Sequence, residues 1–378
     1  YSDTIYKPPQ KAVPPAVDCH IPRQLIESAH DRGMEAHMGL APFLPPGVRD
    51  EDRPVQIDGR PFQPPYVANN GCLNNPAVRA YALAAIQDFI CHYPDLDGLI
   101  LDWAEFGAYR LQEHFTCFCP ACEQAALAMG YDWQEMHQDV QTLWELLHHL
   151  DPQHLAQSRR LLSNPSQLAE LLMTFPGILN FQRFKADCVV NFYREVRLLL
   201  DNWGFHKVGL SARGWISPWN RSSGMDYRRL AEVCTAVLPK LFTFDHAVLP
   251  RWLGQTLQEW NPDLPEPLIL EAVKRWLNLP DDIQRPTFAD YNIPAPDQPH
   301  PAHLSTYSQR LEETADQVNG RSRLFPIAHP YLPDDQWQQM VALIRESPVD
   351  GMWVNFYSYL TDQKFEIMRQ TWQQSVAN

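Results

Sequence analysis

The chain has 378 residues, is 45% hydrophobic, and sets 31 Lys and Arg against 45 Asp and Glu, for a formal net charge of −14. That size and apolar share suffice for a large α/β core, while the negative balance, with no Lys/Arg cluster, argues against a nucleic-acid or anionic-membrane surface. No run approaches the roughly 20 apolar residues of a membrane helix. Aromatic residues are plentiful, with 12 Trp and 14 Tyr; most belong to packing, and a minority lining a cleft would suit sugar rings.

Residues 1–20 are proline-rich and show no core pattern. A helix is predicted from Pro22 to Arg32, closed by Gly33, leading into a short strand, Met34 to Leu40. The segment 44–71 reads as a long proline-rich loop of the kind that tends to carry function. Asn75-Pro76 opens the clearest helix, with a capping Asn, Pro at the first helical position and apolar residues from Val78 to Ile90 on one stripe. Asp97 to Leu101 follows as a buried strand, and a long helical region then fills about 120–203.

Further strands are predicted over Lys207–Gly214, Leu241–Ala247, Arg323–Ala328 and Gly351–Phe356. Helices fall over 185–202, 226–237, 265–279 and 334–346. Strands alternating with helices imply a parallel sheet covered by helices. The expected architecture is a single α/β domain over 1–378, a (β/α)8 TIM-type barrel with a helical insertion over 123–203 after its fourth strand. Six strands are in view, so two would precede Tyr1 or hide in residues 1–20 and one loop. A missing strand would leave a seam that a second copy could cover, which makes a homo-oligomer a further expectation. A doubly wound open sheet is the alternative, but no glycine-rich phosphate loop supports it or any organic cofactor.

In a parallel barrel, catalytic groups project from the C-terminal strand ends. Asp102 and Glu105 follow Leu99-Ile100-Leu101, and Asp245 and His246 follow Leu241–Phe244. Arg213 and Trp215 close the strand from Lys207, Asn355 and Tyr357 the last strand, and His37 lies near the end of the first. Glycoside cleavage needs two carboxyl groups, one ionised and one protonated, and Asp102, Glu105 and Asp245 are the candidates. Trp103, Trp215, Trp219 and Trp353 are candidate sugar platforms; His37, His246 and His329 could orient hydroxyls. Glu271 reads instead as a solvated ion pair with Lys274.

Cys117, Cys119 and Cys122 bring three soft ligands into one turn-sized segment. Zinc in a closed structural site takes four, and Cys72, just before the Asn75-Pro76 helix, is the chosen fourth. Cys19, Cys91, Cys188 and Cys234 are isolated and read as buried free thiols. The Cys-x-Cys-x-x-Cys pattern favours metal thiolates over disulfides, which places the protein in a reducing compartment, the cytoplasm; a leader upstream of Tyr1 stays open.

The stretch from Cys72-Leu73-Asn74-Asn75-Pro76 through Leu101–Gly107 to Cys117–Cys122 resembles the catalytic barrel of glycoside hydrolase family 42 β-galactosidases. That resemblance covers about 50 residues and implies Glu105 as acid/base with the four cysteines as zinc ligands. Ala104 stands where the family has Asn, and no seventh-strand nucleophile Glu is found. Asp97-Gly98-Leu99-Ile100-Leu101-Asp102 looks instead like uncharacterised glycosidase-like barrels and, more distantly, α-fucosidases and α-galactosidases. This second resemblance implies Asp102 as nucleophile, with Glu105 or Asp245 as acid/base. The expected function is therefore hydrolysis of a carbohydrate glycoside by two carboxylates with retention, beside structural zinc. The alternative is a degenerate barrel that binds carbohydrate or acts as a scaffold.

Overall fold

The computed structural model describes residues 1–8, 20–63, 68–155, 164–279, 285–300 and 304–373. Seven strand segments set its frame: β1 (His37–Leu40), β2 (Gly98–Asp102), β3 (Gly209–Trp215), β4 (Ala236–Leu241), β5 (Arg323–Leu324), β6 (Ile327–Ala328) and β7 (Trp353–Val354). All pair in parallel, in the order β1-β2-β3-β4-β6-β7, with β5 also on β4. β5 and β6 are two halves of one strand position. They are parted by Phe325-Pro326, where proline has no N–H to give the ladder, although Phe325 N–H still donates to the Val237 carbonyl at 3.0 Å.

Among the described residues, six strand positions curl through 233° and stop, giving an open half-barrel, and 54% of those residues are helical. This corrects the expected closed eight-strand barrel. Residues 1–8 hold no strand, residues 9–19 and 64–67 lie outside the described residues, and the loop around 50–63 contributes only isolated bridges, Val55 to Pro61 and Gln56 to Thr116. Proline-rich segments cannot supply the unbroken N–H row that a central parallel strand requires. The two ends of the curl meet instead through side chains at the N-terminal edge. There the His37 ring of β1 lies edge-on to Trp353 of β7 at 5.5 Å; one strand position further in, Arg323 of β5 reaches Glu35 at 3.6 Å.

The first helix spans His20–His30. The Pro76–His92 helix is capped as its sequence suggests, Asn75 accepting from the N–H groups of Ala77 and Val78. Between β2 and β3 lie helices Pro120–Ala128, Trp133–His148, Pro165–Thr174 and Pro176–Asn202. They follow the second strand of this sheet, not a fourth.

The region before Asp245 needs a second correction. The predicted helix over 226–237 shrinks to Tyr227–Leu230, and the strand is Ala236–Leu241, not Leu241–Ala247. All six residues of β4 are buried. A short apolar run has no period that separates strand from helix, and a proline inside it, Pro239, is uncommon in an interior strand. Asp245 consequently opens the helix Asp245–Trp260.

Candidate acid pocket and thiolate centre

Alternation along parallel strands divides the sheet into two faces. On the concave face Ile100, Ala236, Leu238 and Ile327 form a small apolar floor, with Phe242, Phe325 and Trp353 packed on it. Two residues beyond Ile100 and Leu238 come Asp102 and Lys240, so the same face turns from apolar to charged at its C-terminal rim. Asp102 lies level with Arg213 and Trp215 with Lys240. One Asp102 oxygen pairs with Arg213 Nη1 and the other with Lys240 Nζ, each at 3.2 Å.

Lys240 is buried, and burial alone would lower its pKa. The neighbouring Tyr109, Asp102 and Glu105 outweigh it and hold the ammonium above the ordinary lysine value. Lys240 Nζ also donates to the Tyr109 hydroxyl at 3.3 Å, and Trp103 Nε1 donates to the same oxygen at 3.3 Å. Trp103 turns the chain out of β2 with a left-handed φ of 56°, a strained state for an aromatic residue that surrounding contacts must maintain. Lys240 Nζ lies 5.6 Å from the centre of the Trp103 ring.

Glu105 is 1% exposed. Ser223 Oγ donates to its Oε2 at 2.5 Å, whereas Oε1 is buried with no hydrogen-bond partner. Burial raises the Glu105 pKa to about 7 against the pull of the Lys240 charge and the Ser223 bond. Asp245, in the first helical turn, would gain as an anion from the helix dipole. Burial outweighs the Lys240 charge nevertheless and puts it at about 7 too. Asp102, Glu105 and Asp245 therefore share one cation, Lys240, as a common electrostatic neighbour.

Other candidates divide by location. His37 starts β1 rather than ending it, which puts it on the edge opposite Asp102; Trp353 joins it there. Trp215 is buried and packs against Tyr109, ring centres 4.6 Å apart and tilted by 48°. Trp219 donates its Nε1 to the Leu277 carbonyl at 3.2 Å and lies 4.0 Å under the Arg310 guanidinium. His246 packs on Tyr307 at 4.7 Å and has Arg310 Nη1 3.3 Å from its Nε2. His329 is walled by Phe242, Phe244, Phe356 and Tyr359 at 5.2 to 5.6 Å, and burial lowers its pKa to about 4. Asn355 is half-buried and donates its N–H to the Ala328 carbonyl; Tyr357 is 79% exposed. Glu271 pairs with Arg275 one turn on.

The four predicted cysteines come together. Cys72, Cys117, Cys119 and Cys122 are buried, with all four sulfurs within 4.8 Å of one another; Cys72 lies 3.5 Å from both Cys119 and Cys122. Ligands about 2.3 Å from a tetrahedral zinc would stand roughly 3.8 Å apart. Backbone N–H groups of Val55 and Asn74 point at Cys117 and Cys72 at 3.3 and 3.4 Å, and the Asn74 amide reaches Cys122 at 3.3 Å. Such donors stabilise thiolates. Bonds from Cys117, Cys122 and Cys72 drive Cys119 well below the ordinary thiol value; bonding to Cys117 raises Cys72, and burial raises Cys122. Without a cation the four cannot all ionise, so the donor set fits a metal ion.

Of the remaining cysteines, Cys188 and Cys234 are buried, whereas Cys91 is exposed on its helix, contrary to expectation. Cys19 lies outside the described residues. Sequence reading missed Lys240, Tyr109, Ser223 and Lys185. Lys240 had a signal, being the one charge in an apolar run; Ser223 is 118 residues from the acid it meets. Lys185 is wholly buried, with Nζ 3.0 Å from the His114 carbonyl. Burial lowers its pKa to about 7, opposed by Cys117 and Cys122.

No protein-family model matches this chain, and no curated protein matches it. Among the described residues no helix is long and apolar enough to cross a membrane.

Proposed function

We propose that the chain is a glycoside hydrolase in which Asp102 and Asp245 divide the work. The observation that carries this reading is the contrast between them: Asp102 held by two cations, Asp245 buried with a pKa of about 7 near the same Lys240. A carboxyl group that burial keeps protonated can give up a proton, and one flanked by two cations is placed to act as the nucleophile. Asp102 attacks the anomeric carbon, and Asp245 protonates the departing glycosidic oxygen. Water, deprotonated by Asp245, then cleaves the ester and releases the sugar with retained configuration. Glu105, sealed beneath Ser223, positions the rim and is the second choice of acid. Arg213 and Trp103 border the substrate.

The thiolate centre is structural zinc in this reading. Four sulfurs leave no open position, so its contribution is to brace the loop that leads from Glu105 to Cys122. Local resemblance to family 42 enzymes supports the pairing, and four reduced thiols suit the cytoplasm.

Asp102→Asn and Asp245→Asn should each lower kcat on a responsive aryl glycoside by at least about a hundredfold. A chromogenic panel over α- and β-linked sugars measures this. Full turnover in both variants would sink the assignment.

The second reading, a carbohydrate-binding protein, is favoured by one observation: each Asp102 oxygen already faces a cation at 3.2 Å. Sugar-dependent thermal shifts without turnover across the panel would support it.

A further inference from the structure

A cavity of about 660 Å³ opens between the loop around 50–63, the turn Leu111–Phe115 and the Asp245–Trp260 helix. Its apolar wall is aromatic, made by Phe62, Trp144, Trp252 and Trp260. Trp252 is half-buried, with the Arg110 guanidinium 5.0 Å from the centre of its ring. Planar polar ends complete the lining. The side-chain amides of Gln56 and Gln255 and the two terminal nitrogens of Arg110 have no hydrogen-bond partner among the described residues, and all of them are open to solvent. Gln112 accepts from Thr256 Oγ1 at 3.4 Å, and its NH2 is open in the same way.

This lining selects by exclusion. Arg60 is held by Asp58 at 2.8 Å, which leaves Arg110 and Glu259, one charge of each sign. An ionic ligand would meet attraction and repulsion together, so net charge gains it little. A purely apolar guest would cover amide and guanidinium groups that water now serves, and leaving those unpaired is costly. An amide sets a donor beside an acceptor, and a guanidinium presents parallel donors. Adjacent hydroxyls on a pyranose ring, each able to donate and accept, match such forked ends, while the C–H face of the ring suits an indole. Several hydroxyls and one apolar face together describe a sugar.

We propose that this cavity holds a segment of an uncharged oligosaccharide, with one ring against Trp252 and its hydroxyls shared among Gln56, Gln255 and Arg110. The site is separate from the acid rim and stands whether or not the acids cleave what it binds. The two are neighbours all the same. Asp245 opens the helix on which Trp252 lies two turns further along, about 10 Å by the helical rise. Tyr109, which bonds Lys240, directly precedes Arg110.

Titration calorimetry of the full chain tests it with cellohexaose, xylohexaose, mannohexaose and maltohexaose, and with hexagalacturonate as the charged comparison. At least one neutral chain should bind saturably, and more tightly than hexagalacturonate. Trp252→Ala should weaken that binding at least about tenfold and Gln255→Leu about fivefold. Gln255 bonds no described residue through its side chain, so Gln255→Leu should leave the urea midpoint unchanged and decides alone should Trp252→Ala fail to fold. No saturable binding across the panel, tighter binding of hexagalacturonate, or unaltered affinity in Gln255→Leu would overturn the proposal. Aryl glycoside turnover is scored separately: hydrolysis without oligosaccharide binding would remove this site and leave the role of the acids standing.

Discussion

Asp245 carries its proton inside the fold up to about pH 7 and loses it near pH 4 when the chain is unfolded. Between those values the folded state binds the extra proton, so this group stabilises most at the acid end of the window. Its contribution then declines as pH rises towards 7. Glu105 acts in the same direction. His300 and His329 oppose them: burial lowers both to about 4, so their stabilisation is full above about 6.5 and fades as pH falls. The carboxyl effect is therefore isolated by difference. Wild type minus Asp245→Asn, measured by urea denaturation at pH 5 and pH 8, should differ between the two by on the order of 2–3 kcal/mol, with the native side chain relatively better at pH 5. An unchanged difference would mean Asp245 is solvated.

Where helices rest on one another, the backbone itself is sometimes the limit. At Gly177, in the first turn of the Pro176–Asn202 helix, an added Cβ would fall 2.5 Å from the Glu135 carbonyl oxygen of the Trp133–His148 helix. Its N–H donates to Asp139 at 2.7 Å. A backbone carbonyl cannot swing aside as a side chain can, so Gly177→Ala should separate these helices and cost about 1–3 kcal/mol, read as a lower urea midpoint at unchanged slope. Elements like these were legible: cap, proline and apolar stripe named the Pro76–His92 helix nearly to the residue. β4 was not, because its partners on both sides, β3 and β5/β6, supply the reason for an extended chain. The same misplacement set Asp245 on a strand end, where it is a helix start. His37 failed by three residues, enough to exchange one rim of the sheet for the other.

For the molecule as a whole, alternation of strand and helix told of a parallel curled sheet but not of its closure. Closure depends on strands whose absence no local pattern announces. The cysteine centre was readable because its spacing is short-range and its chemistry narrow. The acid rim was readable only as separate strand ends: nothing near Asp102 in sequence points to Lys240 or Arg213. Metal analysis of the purified chain should find zinc in proportion to protein, and Cys119→Ser should release it. A strong chelator should then lower the melting temperature by several degrees. Full stability with the metal removed would leave the thiols as ordinary core residues.

Cys72 and Cys122 stand 50 residues apart in sequence and 3.5 Å apart in space, and between them run the Pro76–His92 helix and β2 itself. An ion gripping both ends would turn that stretch into a ring even before the sheet assembles. It would strip the disordered chain of much of its freedom, because a long loop loses more on closure than a short one. Asp102 and Glu105 both lie within the ring. Synthesis in metal-starved medium should therefore leave a chain slow to gather its acids, whatever the finished molecule later tolerates.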